Sequence, residues 1–407
     1  MRKKQFNIWI SFISLAVLCL PDTTGYPWFD KTVRALHYAS LIWPCILLFA
    51  IKHLWKRGRL VPVCVFWLVG LFNTVINRTD IIGYFDLLVS CLSVCIVTYH
   101  LFFLSGFTGI RYIGVFLTAL LVLEALSVYA GGINTIVDGN GLEMAVYFLG
   151  QQPALNRIYT VSLAILSLQF RLGSKFDKWV SMIGLAAGAY SVFALNVSTA
   201  KVTLAAFLFA LIAAHVIRSR RIWRSLAFFL IVFILVFTLS GGFSQGFEWL
   251  LDGLLGEDVT LHGRTLLWES ALSQMNGWHW LLGNGYGHSY VFAIGEWKVG
   301  TAHNQYLNIL FCFGCTGLIA YLWVISRQAA AAFKAREYHV RRILIASIIA
   351  FIVTGIPTTT YQSVYIYLLY TVAVNAHCLV QKNARINPGL FQGQPALYLK
   401  NAKRARK

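Results

Sequence analysis

Thr301-Ala302-His303-Asn304-Gln305-Tyr306-Leu307-Asn308-Ile309-Leu310-Phe311-Cys312-Phe313-Gly314-Cys315-Thr316-Gly317-Leu318-Ile319-Ala320-Tyr321-Leu322-Trp323-Val324-Ile325-Ser326 contains no Asp, Glu, Lys or Arg. A run this long and apolar suits a helix crossing a bilayer, which needs about 20 apolar residues for about 30 Å of hydrocarbon. Its polar start marks the point where a loop enters a span. Outward from it, further apolar runs centre on residues 7–20, 38–51, 60–76, 81–105, 112–130, 157–170, 179–197, 202–217, 225–240, 343–357 and 363–380. With 303–326 they make twelve candidate spans. Hydrophobic residues are 58% of the 407 and charged ones 12%, with a mean hydropathy of +0.66, which excludes an ordinary soluble domain. The alternating pattern of an outer-membrane barrel is absent, so helices must satisfy the backbone in lipid. The predicted fold class is an all-α integral membrane protein of about twelve transmembrane helices.

The formal charge of +19 does not point to nucleic acid, because the basic residues cluster in alternate loops. Placing the N-terminus inside puts 27 of the 34 Lys and Arg residues inside, leaving Lys31, Arg34, Arg78, Arg157, Lys201, Arg264 and Lys298 outside. Lys and Arg resist translocation, so both termini are expected in the cytoplasm. The first span reads as retained rather than as a cleaved signal peptide. The chain then divides into nine spans over 1–240, an outside loop at 241–302, three spans over 303–381 and a basic tail at 382–407, together one membrane domain. A loop as long as 241–302 is usually functional. Within it, Thr265–Met275 is expected as a short amphipathic helix on the bilayer surface. Leu266, Leu267 and Ser270 would share one face, with Arg264, Trp268 and Glu269 near another.

Several residues could carry chemistry. At the outer start of a span, His303 meets the positive end of a helix dipole, which favours the neutral imidazole that a general base needs; a histidine there can also simply anchor the helix. Lys201, Arg264 and Arg157 lie where an outside phosphate could be held, although Arg157 has no local motif and such cations ordinarily reach to lipid headgroups. Gly283-Asn284-Gly285-Tyr286-Gly287 follows no βαβ strand, so it reads as a tight turn or a close approach to a sugar. Trp268, Trp278, Trp280, Tyr286, Tyr290 and Trp297 could stack on sugars or form an interfacial belt. Asp86 and Glu124 are costly inside apolar spans, which makes each a functional candidate, unless it fixes helix packing. All eight cysteines lie in apolar segments and read as core filler. Neither Cys91/Cys95 nor Cys312/Cys315 has a second ligand pair, so no metal site is expected.

The order of these pieces resembles the superfamily of O-antigen ligases and Wzy-type polysaccharide polymerases. The matching residues are Ser198-Thr199-Ala200-Lys201; Gly263-Arg264 with Trp268 and the glycine turn; and His303-Asn304 followed by Gly314-Cys315-Thr316-Gly317. They cover about residues 196–320. The resemblance implies a bacterial inner-membrane glycosyltransferase, its large loop and site facing the periplasm, that uses an undecaprenyl-pyrophosphate-linked glycan and needs neither metal nor other cofactor. By position, Arg264 and Lys201, with Arg157, would bind the pyrophosphate, while His303 and Arg264 would be catalytic. Ser198, Asn304, Trp268, Glu269 and Gly285 would support them. Lys201, where ligases more often carry Arg, favours a polymerase that joins lipid-linked repeat units over a ligase whose acceptor is lipid A-core. Other implied partners are membrane lipids, a chain-length regulator and a flippase. A transporter or flippase for a lipid-linked sugar is the rival reading, motivated by Asp86 and Glu124.

Overall fold

The computed structural model describes residues 2–21, 26–50, 59–137, 143–150, 152–217, 219–239, 260–287, 292–294, 297–299 and 301–376. They form α1 (Arg2–Leu18), α2 (Pro27–Ser40), α3 (Ile42–Ala50), α4 (Val61–Ile76), α5 (Ile81–Ser105), α6 (Phe107–Tyr129), β1 (Asn134–Val137), β2 (Glu143–Val146), α7 (Gln152–Leu172), α8 (Lys175–Ala194), α9 (Ser198–Val216), α10 (Arg220–Leu239), α11 (Thr260–Ser273), α12 (His279–Leu282), β3 (Phe292–Ile294), β4 (Trp297–Val299), α13 (Gln305–Phe333), α14 (Tyr338–Thr354) and α15 (Val364–Val374). The protein is thus a helical membrane protein, in which the strands among the described residues form two antiparallel hairpins, β1–β2 and β3–β4. Trp28–Phe49, Ile81–Ser105, Phe107–Tyr129, Ser198–Val216 and Gln305–Phe333 are long and apolar enough to cross a membrane. The other expected spans are helical but shorter or less apolar, so twelve crossings remain a reading of hydropathy. The tail 382–407 and residues 241–259 lie outside the described residues.

Large apolar side chains on the outer faces, such as Ile82 at 84% and Phe209 at 75% exposed, are what lipid contact demands and water forbids. The core is built on α5, α13 and α15, all rich in buried residues. Aromatic rings fill it: Phe66 lies 5.4 Å from Tyr321 and 6.1 Å from Phe313, and Trp67 lies 5.4 Å from Tyr84. Such offset and edge contacts add to the burial of the rings themselves. Cys91, Cys95 and Cys312 belong to this core, whereas Cys45 is exposed and Cys64 and Cys315 are half-buried.

α13 breaks at Gly314, whose φ of 62° and ψ of −169° lie outside the helical region. In an unbroken helix the carbonyls of residues 311–313 would pair with the amides of 315–317. Here Asn284 N–H donates to the Phe311 carbonyl at 2.8 Å and Gly285 N–H to that of Cys312 at 2.9 Å, while Asn73 Nδ2 donates to that of Phe313 at 2.8 Å. The approach is close from both sides. A Cβ on Gly314 would overlap the Leu281 carbonyl, and one on Gly283 the Cys312 carbonyl. The glycine turn is therefore spent on protein backbone, with Asn77 Nδ2 donating to the Gly283 carbonyl at 3.2 Å and Tyr286 packed on Tyr84 at 5.4 Å.

The two acids in apolar runs part company. Asp86 is exposed near the start of α5. Glu124 is buried in α6 and accepts from Leu149 N–H at 2.8 Å. Beside it, Ser127 Oγ donates to the Glu124 carbonyl at 2.7 Å and accepts from Phe148 N–H at 3.0 Å. Glu124 thus tethers the turn between β2 and α7, the packing role open to it from the outset.

Gly314→Ala and Gly283→Ala are each expected to destabilise the protein by about 2 kcal/mol or more, from the left-handed backbone alone, with overlap added. Thermal unfolding in detergent would read this as a lowered Tm for both; an unchanged Tm would refute the seating of the turn.

Candidate functional site

His303 does not lie in the first turn of its span. Asn304 is the N-cap of α13, its Oδ1 accepting from Tyr306 and Leu307 N–H, both at 3.0 Å, as capping residues do. His303 stands one residue earlier, exposed, at φ 47°. A non-glycine residue held in the left-handed region costs energy and persists where its surroundings over-determine it. The chain is pinned on both sides of it: Trp268 Nε1 donates to the Ala302 carbonyl at 2.8 Å, and, two residues on, Gln305 N–H donates to the Gly355 carbonyl at 2.8 Å.

Trp268 belongs to α11, which begins at Thr260 rather than near Thr265. Its side chain is buried with Leu267, Ala271 and Met275, so the expected face assignment is corrected: Trp268 lies on the packed side, because its ring finds both apolar cover and an acceptor for its N–H. It serves as an anchor instead of a sugar platform. Glu269 is exposed. The backbone puts Arg264 one helical turn before Trp268, and its side chain lies outside the described residues. Trp278 and Trp280 are exposed; the side chains of Tyr290 and Trp297 also lie outside the described residues.

Hydrogen bonds link the residues that follow His303 to the helices that carry the other candidates. The Gln305 side chain joins α13 to the loop after α14, its Oε1 accepting from Thr360 N–H at 3.1 Å and from the Thr360 hydroxyl. Thr354, next to Gly355 at the end of α14, shares a 2.6 Å hydroxyl contact with Thr203 of α9. Thr203 Oγ1 also lies 3.1 Å from Asn156 Oδ1 of α7. Lys201 and Arg157 are close in sequence to these two anchors, so α7, α9, α11, α13 and α14 meet at one end of the bundle. Lys201 Nζ reaches back to Asn196 Oδ1 and sits 6.0 Å from the Phe193 ring centroid. Asn196, at φ 53°, is a second left-handed residue at this end. Ser198 opens α9, its Oγ 3.5 Å from the Asn196 carbonyl.

α7 starts at Gln152, so Arg157 lies more than one turn inside its helix rather than at the edge. It is half-buried, and its guanidinium makes no hydrogen bond or ion pair among the described residues. Asn156 Nδ2 and Thr359 Oγ1 are buried without a partner. Donors in that state are costly unless something else satisfies them. Gly285, by contrast, is buried against Thr79 and the Cys312 carbonyl, which leaves its backbone no room for a ligand. Sequence reasoning missed Asn156, Asn196, Thr203, Thr354 and Gln305. A polar residue in an otherwise apolar run was the available signal for Thr203 and Thr354; the others stand at helix starts, where polarity is unremarked.

Fold and site together define a multi-pass helical membrane protein with a polar, cation-bearing niche at one end. A family model described as O-antigen ligase matches residues 186–322, so over this segment the chain is similar to the superfamily that the motif order resembles. The matched segment runs from within α8 to within α13 and includes Lys201, Arg264 and His303. No curated protein matches the chain.

Trp268→Phe keeps the buried ring but leaves the Ala302 carbonyl unpaired, and is expected to cost about 1–3 kcal/mol. Thermal unfolding checks this; a variant as stable as the parent would show that the bond does not hold the His303 strap.

Proposed function

We propose that the protein is a glycosyltransferase of the bacterial inner membrane that moves a glycan from an undecaprenyl-pyrophosphate donor on the periplasmic face, most specifically a polymerase of lipid-linked repeat units. One observation carries the reading: His303 is held in a strained backbone geometry at the end of the bundle where Lys201 also lies, with Arg157, whose guanidinium has no partner among the described residues. In this scheme an acceptor hydroxyl oxygen attacks the anomeric carbon while the bond to the pyrophosphate oxygen breaks. His303 takes the hydroxyl proton. Lys201, Arg157 and Arg264 neutralise the charge that builds on the departing undecaprenyl pyrophosphate, and forked guanidinium donors suit that task. A pyrophosphate so neutralised is a good leaving group, so a positioned base and electrostatic stabilisation are the contributions needed. Ser198, Asn304, Trp268 and Glu269 are assigned supporting positions, Asn304 and Trp268 by fixing the strap on either side of His303, whereas Gly285 serves the seating of the glycine turn.

Ligation to lipid A-core is the second reading, favoured by the description of the matching family; Lys201 is what tips the choice toward polymerisation. Transport loses its motivation, since Asp86 is exposed and Glu124 is engaged by the turn at Leu149.

His303→Ala is expected to slow polymer formation by about 10²- to 10⁴-fold, and Arg264→Ala by about 10²- to 10³-fold, at unchanged protein levels in the membrane. A normal polymer ladder from either variant overturns the assignment. Deleting the gene separates the two reactions. Core bearing one repeat unit marks a lost polymerase, whereas bare core with accumulated lipid-linked polymer marks a lost ligase.

A further inference from the structure

The opposite end of the bundle holds a second concentration of charge that glycosyl transfer does not use. Arg327 lies about 30 Å of helix beyond Gln305, at 1.5 Å per residue. A cavity of about 250 Å³ opens there, lined by Arg59, Arg327 and Lys334 together with Ala330, Ala331 and Ala373. Arg327, Ala330, Ala331 and Lys334 share one face of α13 at helical spacing, so two cations flank a pair of side chains too small to fill the space between them. Arg59 enters from the start of α4 and is fixed: its Nη1 donates to Asn375 Oδ1 at 2.6 Å, its carbonyl accepts from the Tyr370 hydroxyl, and its guanidinium carbon lies 5.8 Å from the Tyr99 ring centroid. The side chains of Arg327 and Lys334 have no hydrogen-bond or ion-pair partner among the described residues.

No acid lines the cavity, and the chain has few to offer. The segments next to it in sequence, 51–58 and 377–407, contain no Asp or Glu. Among the described residues, Asp177 and Glu337 are the acids carried at this end, and both are engaged. Asp177 pairs with Arg111 at 2.9 Å, and Glu337 caps α14 through Val340 N–H. The α13 C-terminus adds only the partial negative charge of a helix end.

We propose that this cavity binds a phosphate group, with the headgroup of an anionic phospholipid in the adjoining leaflet as its source. Forked guanidinium donors and a lysine point charge are the pattern that phosphate recognition uses, and basic pockets between spans are where such headgroups lodge. The space suffices for a phosphate and some water, each water occupying about 30 Å³ in the liquid. The inference stands independently of the reaction at His303.

The test is thermal unfolding of the full-length protein in detergent, titrated with short-chain phosphatidylglycerol, phosphatidylcholine or glycerol 3-phosphate. Phosphatidylglycerol is expected to raise the Tm and phosphatidylcholine not. Arg327→Gln/Lys334→Gln is expected to weaken the phosphatidylglycerol response by about tenfold or more, the worth of one charge-assisted hydrogen bond. Arg327→Lys/Lys334→Arg retains it, as does Lys175→Gln/Lys178→Gln, which removes two cations from the same end outside the cavity. An equal response to glycerol 3-phosphate upholds the phosphate site and moves its source to a soluble anion. Equal loss in the Lys175/Lys178 pair, or no preference for phosphatidylglycerol together with no response to glycerol 3-phosphate, overturns the proposal. If Arg327→Gln/Lys334→Gln does not fold, Lys334→Gln alone, exposed at the helix end, takes its place: weakened binding upholds the site and unchanged binding overturns it.

Discussion

Backbone carbonyls in an apolar bundle must find donors, and the break in α13 at Gly314 is where that demand shapes the molecule. Three carbonyls, of Phe311, Cys312 and Phe313, come free of the helix. Two are taken up by the backbone of the Gly283–Gly285 turn and the third by Asn73 of α4. Leaving them unpaired in hydrocarbon would cost several kcal/mol each. The loop that carries the Gly283–Gly285 turn therefore has an obligatory seat deep against the core, and its position follows from that seat.

The consequence reaches His303. With α12 and the turn seated on α13, the loop brings α11 down so that Trp268 can bury its ring and bond the Ala302 carbonyl. Asn304 then caps α13, and Gln305 ties its start to Gly355. Between those fixed points His303 has little choice of backbone conformation. A side chain held on a strap defined from both sides is what precise proton transfer requires.

The two ends of the bundle differ in kind. At the His303 end, cations and buried donors with no partner among the described residues gather where five helices meet, contributing through Asn156, Thr203, Trp268, Gln305 and Thr354. At the far end, Arg59, Arg327 and Lys334 surround an open cavity. Cations thus gather at both ends among the described residues, Lys201 and Arg157 at one and Arg59, Arg327 and Lys334 at the other.

Hydropathy alone was enough to establish a helical membrane protein, because the need to span lipid with a satisfied backbone writes itself into every apolar run. The order of Lys201, Arg264 and His303 was legible too, since each stands at a boundary between polar and apolar sequence. The task of the glycine turn was hidden, because φ above zero and close approach look alike in sequence whether the neighbour is a sugar or a helix. So was the packed face of α11: Trp268 follows an acceptor that lies beyond the helix, on Ala302. Asp86 and Glu124 were equivalent as letters, and only burial told them apart. Composition and local periodicity are properties of a segment, and they decided that the chain is a helical membrane protein. Which polar groups meet depends on contacts between segments far apart in the chain, so only the tertiary structure could join Asn156 to Thr203, Thr203 to Thr354 and the strap of His303 to all of them.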